Sequence, residues 1–199
     1  MIRLSACWAL VVLLSWVGVA AAADPAEEFS RGTKIIGLQF GGGAQNNVEG
    51  HRTISGISFV NVEPRFSILP FDPIGSGVLK GSVETGLEPF FQYYLTPDDG
   101  ATAEGMKATV RYHFLSASPI FPYAEITAGA AGTSLKVSEI RSTFTFILEA
   151  GAGVSYFVTD GVALNLGYRF QHISNGNTSS PNRGFNSDSG VLGISFFFH

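Results

Sequence analysis

The sequence predicts an all-β protein, an eight-stranded antiparallel transmembrane β-barrel of the outer-membrane type, and three observations carry that prediction. An apolar leader opens the chain; the rest shows a two-residue rhythm in place of any sustained helical period; and the polar side of that rhythm mixes glycine and serine with charges of both signs. The 199 residues are 45% hydrophobic and only 14% charged, with a net charge of −4. Soluble domains carry roughly 25% charged residues, so an ordinary cytosolic domain is disfavoured and a disordered chain is excluded. The acidic balance, without a Lys or Arg run, argues against binding nucleic acid through its phosphates. The length suits one domain.

Residues 1–23 have the layout of a signal peptide. Arg3 precedes the apolar run Trp8 to Val19, and Ala21-Ala22-Ala23 leads to Asp24 as the first residue of the mature chain. A membrane anchor is the alternative, but the run is shorter than the roughly 20 residues a spanning helix needs. The lipoprotein-like Leu4-Ser5-Ala6-Cys7 lies before the apolar run, not after it. Removal of the leader takes Cys7, Trp8 and Trp16 with it, so residues 24–199 hold no cysteine. Disulfides, thiol nucleophiles and thiolate metal sites are thereby excluded.

Strands are expected at about 34–42, 54–69, 81–95, 104–116, 121–131, 143–158, 161–173 and 187–198. The third shows the pattern well: Val83, Thr85, Leu87, Pro89, Phe91, Tyr93 and Leu95 alternate with Ser82, Glu84, Gly86, Glu88, Gln92 and Tyr94. Such strands suit either a soluble barrel with an apolar core or a membrane barrel with the faces reversed. The polar parity carries Glu63, Arg65, Glu84, Glu88, Lys107, Arg111, Glu125, Glu149 and Arg169. Small residues with opposite charges suit the lumen of an eight-stranded barrel, which side chains just fill. The aromatics Phe121, Tyr123, Tyr156, Phe170, Phe196 and Phe198 near strand ends are expected to form interfacial girdles. Short links at 117–120 and 159–160, against long ones at about 43–53, 132–142 and 174–186, place the N-terminal end of the barrel in the periplasm. The Pro- and Gly-containing link at 70–80 is longer than that rule anticipates. Leu192, Ile194, Phe196 and Phe198 form a C-terminal strand of assembly-signal type, followed by His199.

Chemistry concentrates at the upper end of the seventh strand, Tyr168-Arg169-Phe170-Gln171-His172-Ile173-Ser174-Asn175. The even positions are the apolar ones, so His172 and Ser174 lie together on the lipid-facing side. Imidazole can remove the hydroxyl proton that otherwise leaves serine a poor nucleophile, which is the minimum for acyl transfer. An interfacial polar pair is the structural alternative, though polar side chains on a lipid-facing stripe are costly and point to function.

This run, with Ser180-Pro181-Asn182-Arg183-Gly184-Phe185-Asn186 downstream, resembles the signature of the PagL-type lipid A 3-O-deacylases. The resemblance covers the last two strands and their link. It implies an outer-membrane barrel that hydrolyses the ester of the 3-hydroxyacyl chain at position 3 of lipid A, with no metal and no cofactor, and with lipopolysaccharide of the outer leaflet as partner. It makes His172 the general base and Ser174 the nucleophile, and puts Asn175 and Asn182 at oxyanion and substrate-binding positions. Where the family carries a Glu that orients the histidine, this chain has Asn186. An amide can accept the imidazole N–H but cannot stabilise imidazolium by charge, so a substitute acid or a lower activity is implied. Asp188, on the same parity, is the candidate substitute, with a solvated loop-end residue as its alternative reading.

The remaining features are structural in expectation. His51 falls in a Gly/Asn-rich loop and His113 on the inward parity. The four glutamates Glu84, Glu88, Glu125 and Glu149 suit a charge-paired lumen better than acid/base pairs. Asn177-Thr178-Ser179 is discounted as a glycosylation site, and Gly75-x-Gly77 is a turn. Two rivals to an esterase stand: a catalytically silent barrel with a structural or adhesive role, and a barrel that binds an apolar ligand in its lumen. Oligomeric state is left open.

Overall fold

The computed structural model describes residues 25–115 and 119–199; the leader lies outside them. Eight antiparallel strands close into one barrel in chain order: β1 (Lys34–Asn46), β2 (Ser58–Ile68), β3 (Gly81–Thr96), β4 (Thr102–Phe114), β5 (Ile120–Thr133), β6 (Phe144–Thr159), β7 (Val162–Ser174) and β8 (Phe185–Phe198). Closure comes from β1 against β8, with Lys34 opposite Phe198 and Asn46 opposite Asn186. A closed sheet leaves no unpaired edge, which is what a strand needs in hydrocarbon.

The alternation sorts side chains as the sequence predicts. Ile36, Phe40, Phe66, Leu87, Met106, Ile126, Leu148, Leu166 and Leu192 point outward and are exposed. On a water-facing protein this continuous apolar belt would be an aggregation surface; facing lipid it is the source of insertion. Among the described residues no helix is long and apolar enough to cross a membrane.

Inside, the charges form one network. Arg65 donates to Glu88 (2.7 Å) and Glu125 (3.1 Å), Lys107 reaches Glu63 (2.7 Å) and Glu149 (2.9 Å), and Arg111 and Arg169 both hold Glu125 at 2.7 Å. Arg169 also binds Glu63, three strands away around the barrel. His113 bonds Glu84 through Nε2 at 2.7 Å, as its inward parity anticipated. These side chains are all buried, so each ion draws its compensation from its partners rather than from water.

Apolar plugs close the network at both ends. Toward the Lys34 end, Phe29 folds in after a short helix, α1 (Pro25–Glu28), and packs edge-on against Phe121, Phe157 and Phe197. Toward the other end, Ile57, Phe59, Tyr94, Leu135, Ile140, Ile173 and Phe185 form a second buried cluster beneath the loops. A lumen filled in this way does not suit the apolar-ligand rival.

Two expectations need correction. Phe121 and Tyr123 are not girdle residues but point into the barrel, at 0% and 3% exposure. Strand β5 is apolar on both faces at this end, so its parity is ambiguous. Space decides it: a Cβ at Gly153 or Gly167 would collide with the Tyr123 ring or hydroxyl, and the ring stacks 3.8 Å from the Arg111 guanidinium. Strand β1 continues through Gly41-Gly42-Gly43 to Asn46, and β2 begins at Ser58, later than read. The long link between β2 and β3 is a folded segment, pinned by an Ile74–Gly81 bridge and by the Tyr112 hydroxyl on the Leu79 carbonyl (2.6 Å). It presents Phe71, Val78 and Leu79 outward at the membrane edge.

Candidate active site

The site is built on the last two residues of β7 that face outward, the start of β8, and two loops. In the β7–β8 register His172 stands directly opposite Asn186, and its Nδ1 lies 2.7 Å from the Asn186 Oδ1. That oxygen only accepts, so Nδ1 carries the proton and Nε2 is left with its lone pair. The amide is itself held the right way round, because its Nδ2 donates to Glu49 Oε1 at 3.0 Å. A flipped amide would turn its oxygen toward a carboxylate. Glu49 in turn bonds His51 Nε2 through its other oxygen, at 2.6 Å. These bonds from His51 and Asn186 hold the exposed Glu49 carboxyl below its ordinary range.

Ser174 shares the outward face two residues along. Gly184 packs closely against both. A Cβ placed on it would lie 3.3 Å from His172 Cε1, 3.3 Å from Ser174 Cβ and 2.8 Å from the Ile173 carbonyl oxygen. Its φ is +70°, so glycine is required both by backbone conformation and by the narrow space over the His–Ser pair.

The loop from 175 to 184 is internally tied. Asn175, fully buried, spends its side-chain amide on the Ser179 carbonyl and hydroxyl, each at 2.9 Å, while its backbone N–H donates to Asn182 Oδ1 at 2.7 Å. Asn182 Nδ2 continues to Asn177 (3.0 Å). Beside it, Glu139 gathers three loops. It accepts from Gln45, from Ser55 backbone and side chain, and from Arg183 at 2.8 Å, while its own carbonyl takes the Arg183 N–H at 3.0 Å. Burial pushes its pKa up, but the Ser55 and Gln45 hydrogen bonds outweigh this and bring it to about 2.

Asp188 is placed elsewhere. It accepts from the Tyr168 hydroxyl at 2.5 Å and from Asn46 at 2.9 Å, opposite Phe170 and Ala44. The structure therefore bonds His172 to Asn186 with Ser174 on the same outward face, uses Asn175 and Asn182 to hold the neighbouring loop, and gives Asp188 other partners. Sequence reasoning passed over Glu49, Gly184 and Glu139. The only signal for Glu49 was the uncharged residue at 186, which leaves a charge to be found; Gly184 was visible within the Pro-Asn-x-Gly run.

An outer-wall groove of about 500 Å³ leads away from His172. Its floor is made by small residues, with Ala108 opposite Ala128, Ala128 opposite Leu148, and Leu148 opposite His172. The lining runs from the end of β7 across β6, β5 and β4 to Thr85 in the first half of β3, so the groove descends from the rim toward the middle of the apolar belt. Among the described residues no group of His, Cys, Asp and Glu has the arrangement to hold a metal ion.

The family model described as lipid A 3-O-deacylase (PagL) matches residues 76–195. Two solved structures are similar in fold. One is the outer-membrane enzyme PagL, 18% identical, with a TM-score of 0.57 over 80% of this chain and 97% of that one. The other is Neisserial surface protein A, 22% identical, with a TM-score of 0.55 over 84% and 99%. No curated protein matches in sequence. The family match spans more than half of the chain and includes His172, Ser174, Gly184 and Asn186 but not Glu49 or His51. The chain belongs to the lipid A 3-O-deacylase family and is a β-barrel of the outer membrane.

Proposed function

We propose that this member of the family is a Ser-His esterase that removes the 3-O-linked 3-hydroxyacyl chain of lipid A in the outer leaflet. Residues 1–23 serve as the signal for its export and are cleaved. The observation that carries the reading is the 2.7 Å bond from His172 Nδ1 to Asn186, which leaves Nε2 as a base on the outward face that holds Ser174.

The chemistry follows from that geometry. His172 Nε2 takes the Ser174 proton as Oγ attacks the ester carbonyl, giving a tetrahedral oxyanion. Collapse breaks the bond to the sugar oxygen, which leaves with the proton returned by His172, and the acyl chain stays on Ser174. Water, deprotonated by His172, then attacks the acyl-enzyme and releases a 3-hydroxy fatty acid. Asn175 and Asn182 act by fixing the loop that covers the oxyanion. The descending groove past Ala128 and Ala108 takes an acyl chain from headgroup level toward the bilayer centre, so the substrate enters laterally from lipid. No step requires a metal or organic cofactor.

Mass spectrometry of lipid A from cells making the intact protein, Ser174→Ala or His172→Ala tests the reading. Loss of one 3-hydroxyacyl chain from the sugar 3-position with the intact protein alone is expected. Unchanged lipid A with a correctly inserted intact barrel would favour a structural or adhesive role.

A further inference from the structure

We infer that Glu49 is a positioning residue of this site, acting on His172 through Asn186. The inference rests on His172 acting as the base. The contacts form an unbroken chain: His172 Nδ1–H to Asn186 Oδ1, Asn186 Nδ2–H to Glu49 Oε1, and His51 to Glu49 Oε2.

An asparagine alone is an ambiguous partner for imidazole. Its two ends are nearly the same shape, one accepting and the other donating. With Oδ1 toward His172 the ring carries its proton on Nδ1, and Nε2 is free to receive the serine proton. With Nδ2 toward the ring the tautomer reverses, Nε2 carries the proton, and the base is disabled; loss of the correct tautomer can lower turnover about 10⁴-fold in serine hydrolases. A carboxylate against Nδ2 removes the ambiguity, since it can only accept. It also polarises the amide, making Oδ1 a better acceptor when the ring becomes imidazolium.

Among the described residues the surroundings do not offer another group for this task. Arg183, from the loop before β8, is committed to Glu139, and Asp188 on β8 is held by Tyr168 and Asn46. His51, on the same loop as Glu49, fixes the carboxylate from the side away from Asn186. Glu49 reaches the site because β1 extends to Asn46, opposite Asn186, so that the following turn arrives over β8. This turn precedes the segment that resembles the family, which is why the acid escapes a search by motif.

The test compares four purified, refolded barrels, namely the parent, Glu49→Gln, Asn186→Glu, and the double variant, each checked by its heat-dependent electrophoretic shift. The substrate is lipid A in detergent micelles, and Ser174→Ala reports separately on the esterase reading. Glu49→Gln is expected to lower kcat at least ~10-fold with KM unchanged, because an amide can no longer set the orientation of Asn186. In the Asn186→Glu background, where a carboxylate meets the ring directly, the same change is expected to have less than a twofold effect. A normal kcat in Glu49→Gln overturns the inference. So does an equal loss in both backgrounds, which marks a structural role only.

Nitrogen-15 NMR of the neutral His172 ring gives a readout that does not need activity. The Nδ1–H tautomer is expected in the parent and a mixture in Glu49→Gln. The same single tautomer in both overturns the inference even if the barrel is inactive on lipid A.

Discussion

Two histidines, His113 and His172, sit at opposite ends of one barrel and illustrate two uses of the same ring. His113 is inside, 1% exposed, with its Nε2 against the Glu84 carboxylate in a network where every charge faces an opposite one. His172 is outside, half-buried, with Nδ1 on a neutral amide and Nε2 left unoccupied on the face that Ser174 shares. A partner on Nε2 occupies the nitrogen that would take up a proton, as in a structural histidine; an acceptor on Nδ1 alone leaves Nε2 free, as the proposed base requires. Parity along a strand decides between them, since odd and even positions of β4 and β7 face opposite sides of the wall.

The largest effects should separate these two environments. Ser174→Ala and His172→Ala should each lower deacylation by about 10³-fold or more while leaving the barrel folded. His113→Gln should leave turnover of the folded protein within about threefold, because a lumen residue touches no reacting atom. Steady-state rates on the folded fraction check both. In the lumen, Arg169→Met strips Glu63 and Glu125 of a shared partner and should destabilise folding by about 3–5 kcal/mol, read from urea unfolding in vesicles.

Smaller effects sharpen the rim. Gly184→Ala imposes a left-handed φ on alanine, about 1 kcal/mol or more of strain, and drives a methyl between His172 and Ser174. Its kcat should fall more than its stability. Glu139 makes the loop cap depend on pH. Its carboxyl is held at about 2 against an ordinary value of 4.5. The stabilisation is therefore present above 4.5 and is lost as pH falls from there toward 2. Hydrogen exchange in residues 134–143 should rise over that window, and Glu139→Gln should abolish the dependence. The smallest effect is expected from Asp188→Asn. Its partners are Tyr168 and Asn46, so deacylation should stay within about threefold.

Much of the barrel is legible because lipid and lumen impose opposite chemistries on alternate residues. β3 and β7 can be assigned from parity alone, and all nine inward charges land where their parity put them. Legibility fails where the contrast fades. On β5, Phe121 and Tyr123 look like lipid-facing aromatics, and only the gaps left by Gly153 and Gly167 reveal that they turn inward. On β1, three glycines read as a strand end although pairing to β8 carries the strand on to Asn46. The same register explains the site. His172, Ser174 and Asn186 belong to adjacent strands whose pairing a motif captures, whereas Glu49 arrives on a loop whose closure depends on Gln45 at the end of β1 and on Ser55 and Glu139 from two separate connections. No local pattern encodes that convergence.

The most direct test of the contrast between the two histidines is covalent labelling of the purified barrel with a lipid-tailed fluorophosphonate, followed by peptide mass spectrometry. The account predicts a single adduct on Ser174, absent in His172→Ala and retained in His113→Gln. An unlabelled Ser174 in a barrel that deacylates lipid A, or labelling that survives His172→Ala unchanged, would contradict it.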